Sequence, residues 1–397
     1  MSEFTNNALK RAKDLSRFMQ GLIDGESGAE LVKEYNLITK NYIPIDILSA
    51  FDIMFNEGVD IEKLKTASNK LFNILYKTLS SYDAIEPKID SFIYFLIEDN
   101  KSVDQQLKNI KPLIKEVNKQ SSPEILKELN NAFRQLQKID LHYTVKENVL
   151  FPVLEQYWEN HQCLKLMWSF HDDIRQNLKI TIDSLEADNF DLKHFNKISS
   201  LVFFNIYTII FREEKILFPI MNENIETDML DDMLRQCHEM GLPFVKAKYK
   251  EKTTKPKSAK KEAKTIKLET GEVSIQEMEM IFKHLPVDIT YVDENDTVKF
   301  YSDPPHRIFP RTSSIIGRKV QNCHPPESVG VVEKIVDAFR KGEKEEASFW
   351  IHIGPKFVLI RYFAVRDNEN NFRGTLEVSQ EISEIQKLEG DRRLLDW

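Results

Sequence analysis

Apolar residues recur at helical spacing through roughly the first 245 positions and at alternate positions after about 273, with a lysine-rich break between the two regimes. Over residues 1–80 the recurring positions are Leu15, Phe18, Met19 and Leu22, then Leu31, Tyr35 and Ile38. The segments IPIDILSAFDIMFNEG and DIEKLKTASNKLFNILYKTL continue them, with Gly58 as a helix stop. This pattern predicts a small domain of three or four short helices carrying no obvious chemistry. Residues 85–224 hold four longer amphipathic stretches, about 87–118, 123–157, 161–186 and 191–224, separated by short breakers such as Ser-Ser-Pro. Short connections between long helices make them antiparallel neighbours, which predicts an up-down four-helix bundle over 85–245.

Residues 246–272 are dominated by lysine and poor in apolar residues, the composition of a solvated tether. Period-two alternation then marks DITYVD, TVKFYS, EEASFWIHI, PKFVLIRYFAVRD and NFRGTLEVSQEI as five strands. A helix from about Glu327 to Lys341, opened by Pro325-Pro326 and closed by Gly342, falls between the second and third strands. These elements predict an α+β domain with a five-stranded antiparallel sheet over 273–385, then a short terminal helix over 386–397. The fold class is therefore multidomain, all-α followed by α+β.

Composition narrows the picture. The chain is 41% hydrophobic and 30% charged, an ordinary globular balance, and 397 residues exceed what one core usually serves. A net charge of -8 argues against nucleic acid as a partner, the lysine-rich tether notwithstanding. No apolar run reaches a membrane-spanning length of about 18 residues, and the opening MSEFTNNALK is not an apolar leader; a cytoplasmic protein without a membrane partner is expected. Cys163, Cys237 and Cys323 are too widely spaced for a disulfide framework or a structural zinc site.

The chemistry lies where polar residues interrupt the apolar seams. The first long helix is broken at Asp99 and Asn100. The second places Glu147 in the seam with His142 beside it, the third places His171 there, and the fourth Tyr207 and Glu214. A lone seam histidine is commonly a hydrogen-bonded core residue, and a lone seam glutamate commonly pairs with an arginine, here Arg175 or Arg212. Interruptions on all four helices at one height suggest a shared site, since facing buried carboxylates need a cation or a proton. Two carboxylates with imidazoles are a donor set that iron or manganese accepts inside a helical bundle. His142 and Glu147 are about 140° apart on an ideal helix, so they share a metal only if the helix bulges locally or the long glutamate reaches round.

One stretch occurs twice. KENVLFPVLE at 146–155 aligns without gaps on EEKILFPIMN at 213–222, placing Glu147 on Glu214, Phe151 on Phe218 and Pro152 on Pro219. HYTVKENVLFP, WSFHDDIR and FREEKILFP resemble the hemerythrin-type cation-binding bundle. Around them, the N-terminal helices and the segments IFPRT, IIGRKV and CHPPESV resemble a bacterial three-part family that joins a helical domain of unknown function, such a bundle and a PAS domain. The resemblance implies a non-haem di-iron centre at His142, Glu147, His171 and Glu214; Asp99, Tyr207 or water are candidates for the places left by the histidines this chain lacks. The match is partial: Ile209 and Tyr94 stand where histidines are expected, and Lys65, Thr66 and Ser68 where relatives carry Cys, Asp and His. A weakened or single-metal site is one consequence. In the PAS region, Cys323 and His324 are placed to face a small-molecule pocket, and haem is one candidate because both are axial-ligand types.

The functional expectation is a sensor or signalling adaptor for oxygen, nitric oxide or redox state, with a diatomic ligand, an unknown partner protein and a homodimer formed through the PAS domain. Two alternatives are an enzyme or protective protein consuming oxygen, peroxide or nitric oxide, and a metal-free interaction scaffold. No catalytic triad or phosphate loop is visible, so an enzyme is the less expected outcome.

Overall fold

The computed structural model describes residues 3–38, 41–159, 161–249 and 265–390. The chain divides into two compact units, Met1–Lys250 and Glu251–Trp397.

The first unit is helical. Helices α1 (Glu3–Ile23), α2 (Gly28–Glu34), α3 (Pro44–Asn56) and α4 (Ile61–Ser80) precede α5 (Phe92–Lys119), α6 (Pro123–Leu136), α7 (Ile139–Val145), α8 (Phe151–Tyr157), α9 (Cys163–Glu186), α10 (Leu192–Arg212), α11 (Phe218–Asn224) and α12 (Thr227–Met240). Their starts reflect local chemistry. Asp60 accepts from the amides of Glu62 and Lys63, Ser91 from that of Tyr94, and Asp191 from those of Lys193 and His194, each satisfying donors that a helix start leaves unbonded. Pro123 opens α6, where a missing N–H costs nothing. Helix α5 packs on α6 and α10, and α9 packs on the same two, closing a ring of four. The first helix of that ring starts at Phe92, later than the pattern suggested, and leaves Ile89 exposed.

The repeated stretches have a shared backbone device. Lys146–Leu150 and Glu213–Leu217 are each a single π-helical turn, and each is followed by a helix with Pro152 or Pro219 in its opening positions. The amide of Phe151 bonds to the carbonyl of Lys146, and that of Phe218 to the carbonyl of Glu213, five residues back in both cases. The wider turn accommodates a proline inside the helix, and it supplies a local bulge between His142 and Pro152.

No packing boundary separates α1–α4 from the later helices. One continuous core runs from Leu15 and Phe18 through Phe72, Leu107, Phe170 and Ile209 to Cys237. Arg212 helps to join them: its guanidinium lies between the rings of Phe72 and Phe170, at 4.7 and 4.1 Å, and donates to Ser68 and Asn69 of α4. Lys65, also on α4, pairs with Asp173 of α9.

The second unit opens with a two-stranded antiparallel hairpin, β1 (Thr265–Leu268) and β2 (Gly271–Ser274), in a stretch whose lysine content had suggested tether throughout. The two strands, Thr-Ile-Lys-Leu and Gly-Glu-Val-Ser, pair across a Glu269-Thr270 turn, with Leu268 opposite Gly271. A capping box between Ser274 and Glu277 then starts α13 (Ile275–His284). Strands β3 (Asp288–Asp293), β4 (Val298–Tyr301), β5 (Glu346–Ile353), β6 (Lys356–Arg366) and β7 (Phe372–Glu381) form an antiparallel sheet in the order β4-β3-β7-β6-β5. Helix α14 (Pro326–Arg340) lies between β4 and β5 in sequence and packs on β6 and β7. The terminal helix expected over 386–397 lies largely outside the described residues; before it, Ile385–Lys387 form one 3-10 turn.

Candidate functional site

The polar residues that interrupt the seams collect in the core of the helical unit, but as two charge-paired groups. In the first, His142 on α7 lies between two carboxylates. Its Nδ1 is 2.8 Å from Asp99 Oδ2 on α5, and its Nε2 is 3.8 Å from Glu213 Oε2. The other Asp99 oxygen accepts from the amide of Phe244. Glu213 also pairs with the ammonium of Lys146, and both side chains are fully buried. Asn100 donates to Glu213 at 3.1 Å and to Glu214 at 3.4 Å. Burial would raise the Glu213 carboxyl, but Lys146 and His142 outweigh it and hold the group well below the usual carboxylate range.

In the second group Glu147 is clamped. Arg175 on α9 donates from both terminal nitrogens to its two oxygens, each at 2.9 Å, and Glu147 Oε1 lies 2.8 Å from His171 Nδ1. Two parallel charge-assisted bonds of this kind fix a carboxylate in orientation as well as charge. His171 stacks face to face on Tyr143 with ring centroids 4.1 Å apart. Burial, then the cations of Lys146 and Arg175, push the His171 imidazole well below its ordinary value. Among the described residues, the Nε2 atoms of His142 and His171 and the hydroxyl of Tyr143 are buried without a hydrogen-bond partner.

Two positions inferred from the pattern of α10 are displaced by one residue. Glu213 is in the core, while Glu214 is half-buried at its edge, where burial and the neighbouring Glu213 raise its carboxyl. Tyr207 also lies at the flank, where its hydroxyl accepts from Lys111. The core-facing series is Phe195, Ser199, Val202, Ile206, Ile209 and then Glu213. Lys146 and Glu213 are the two members of the site that the hydrophobic pattern did not reveal. The signal was available: the alignment that puts Glu147 on Glu214 also puts Lys146 on Glu213, opposite charges at equivalent places.

As arranged, these residues do not fit a shared-metal centre. Glu147 is committed to Arg175, Glu213 to Lys146, and Glu214 lies off the seam. Among the described residues no three His, Cys, Asp or Glu side chains converge in a way that could hold a metal ion.

In the second unit the paired residues Tyr362 on β6 and Glu377 on β7 share the sheet face that also carries Thr290, Ile360 and Ser379. Tyr362 lies within electrostatic reach of Glu377 and Arg311, and His324 within reach of Glu377, Arg311 and Arg318. Burial pushes the His324 imidazole down, against the pull of Glu377, and Arg311 and Arg318 add to the fall. Burial likewise pushes the Tyr362 hydroxyl up. Arg311 Nε is buried without a hydrogen-bond partner. Cys323 packs beside Val292, Val298 and Ile315, and its thiol contacts the Lys319 carbonyl.

Residues 278–383 match the family profile described as PAS domain. The chain is similar to the C-terminal domain of a protein from Streptococcus mutans, at 33% identity over 32% of this chain and 98% of that one, with a TM-score of 0.30. It is also similar to the PAS domain of the histidine kinase ThkA, at 13% identity over 24% of this chain and 98% of that one, with a TM-score of 0.20. A PAS domain from Colwellia psychrerythraea is 13% identical over 28% of this chain and 97% of that one, with a TM-score of 0.23. No curated protein matches the chain. No helix among the described residues is long and apolar enough to cross a membrane.

Proposed function

We propose that this chain, whose residues 278–383 form a PAS domain, is a signalling sensor in which that domain takes up a small molecule and the helical unit conveys the change to a partner protein. The observation that carries the reading is the group of polar side chains on one face of the sheet. Beside the buried apolar Val358 and Ile360, that face presents Thr290, Tyr362 and Glu377, with Arg311 and His324 nearby and Arg311 Nε without a hydrogen-bond partner among the described residues. Buried polar groups without partners favour a ligand that completes them. Oxygen, nitric oxide and redox state remain the signals we propose, with haem on His324 as one way to read them. Dimerisation through the PAS domain is part of the reading, since Phe349, Trp350 and Ile351 on edge strand β5 are exposed.

The test is the visible spectrum and native mass of the intact protein. A Soret band lost in His324→Ala assigns haem. A small mass released on unfolding and missing from Arg311→Ala assigns an organic ligand. Absence of both, in protein prepared with and without oxygen, would leave the metal-free interaction scaffold as the better description.

A further inference from the structure

We propose that Lys146 is the resident cation of the helical core, occupying from within the chain the place that a metal ion would take between His142 and Glu213. The inference is independent of what the PAS domain binds. Four observations carry it. Lys146 and Glu213 stand at equivalent positions of the two repeats, each the first residue of a π-turn, so both side chains are delivered to the core by one backbone device. The ammonium and the carboxylate are in contact, and neither is exposed to solvent. The next group of a metal-like set is in place: His142 presents Nε2 towards the same carboxylate, unbonded, while Asp99 holds its Nδ1. An aspartate that fixes a histidine by its far nitrogen is the arrangement found behind metal-bound imidazoles. Finally, the other core carboxylate, Glu147, has its own cation in Arg175.

The ammonium does for Glu213 what a divalent ion would do, with a single charge and no vacant coordination position. A core built in this way folds without metal and has no open position for a diatomic ligand. It also implies that the metal-binding potential of the site is masked rather than lost. In Lys146→Glu, two carboxylates from equivalent positions would face each other beside His142, and facing buried carboxylates require a proton or a cation.

The experiment compares the full-length protein with Lys146→Glu after purification through chelator. Each is titrated anaerobically with Co2+, metal content is measured, and thermal melts are run with and without chelator. The unaltered protein is expected to retain less than about a tenth of an equivalent and to melt at the same temperature with and without chelator. Lys146→Glu is expected to take up about one equivalent, to show tetrahedral or five-coordinate cobalt absorption, and to melt higher with metal than without. If the variant does not fold alone, added Co2+ should restore its helical signal. The proposal is overturned if the unaltered protein takes up a stoichiometric ion that Glu213→Gln abolishes. It is equally overturned if Lys146→Glu neither binds cobalt nor is rescued by it.

Discussion

Lys146 and Glu213 hold equivalent places in the two copies of a repeated stretch and meet as a fully buried ion pair. Around that pair sit His142, Asp99 and Asn100, and the residue next to Lys146, Glu147, is held by Arg175 and His171. A buried pair of opposite charges adds little net stability, but a single member left behind is costly, about 3–5 kcal/mol. The core is therefore more sensitive to the loss of one partner than of both.

Acid should reveal the pair. The Glu213 carboxyl is held below its ordinary value of 4.5 by Lys146 and His142 against the effect of burial. On acidification the unfolded chain takes up the proton first, so the stability due to this group is complete above that ordinary value and is lost as pH falls through the depressed one. Lys146→Met/Glu213→Leu lacks the group. Urea unfolding at pH 7 and pH 3.5 should show a larger loss for the unaltered protein than for the double variant; equal losses would assign the acid sensitivity to other carboxylates.

The π-turns should be intolerant of resetting. Removing Asn148 leaves the Phe151 amide four residues from the Lys146 carbonyl, an ordinary α-turn that keeps Phe151 and Leu154 at their buried places but re-aims the residues inside it, Glu147 and Val149. Drawing Glu147 away from Arg175 and His171 should cost about 3–5 kcal/mol, the scale for breaking a buried ion pair at one member. Asn148→Ala, which keeps the turn, should cost less than about 1 kcal/mol by denaturant titration. Equal effects would mean the extra residue has no positional role.

Gly374 should be irreplaceable in the PAS domain. Its φ is +142, and a Cβ there would lie 2.1 Å from the Val292 carbonyl oxygen on the paired strand β3. Gly374→Ala must separate β3 from β7, at a cost of at least about 2–3 kcal/mol. Because the helical residues form their own compact unit, the early loss should appear in tryptophan and strand signals of the second unit, with the helical far-UV signal retained. A single unchanged melt would contradict this.

Much of the architecture was legible in the chain. The strands and the inserted α14 were readable because alternation, Pro325-Pro326 and Gly342 punctuate them in sequence. The His142–Glu147 spacing raised a bulge as one of two ways to bring those residues together, and the chain does carry a π-turn there. The phase of α10 was not readable, because Val202, Phe203, Ile206, Ile209 and Ile210 make a stripe wide enough for two core-facing registers. Packing selected the register that buries Glu213, and the partner that makes this tolerable, Lys146, comes from another helix 67 residues away. Lysine is so commonly a surface residue that the hydrophobic pattern did not place it in the core; only the repeat alignment, which sets Lys146 on Glu213, pointed to it. The join between α4 and the later helices was likewise hidden, since Arg212 sandwiched by Phe72 and Phe170 depends on three separate segments meeting.

The mutual dependence of the two buried charges is measured by a double-mutant cycle on Lys146→Met and Glu213→Leu, read by urea unfolding at pH 7. Each single variant should lose about 3–5 kcal/mol, while the double variant should lose far less than their sum, leaving a coupling of at least about 2 kcal/mol. Additive losses, with coupling below about 0.5 kcal/mol, would contradict the pairing and show that neither side chain relies on the other.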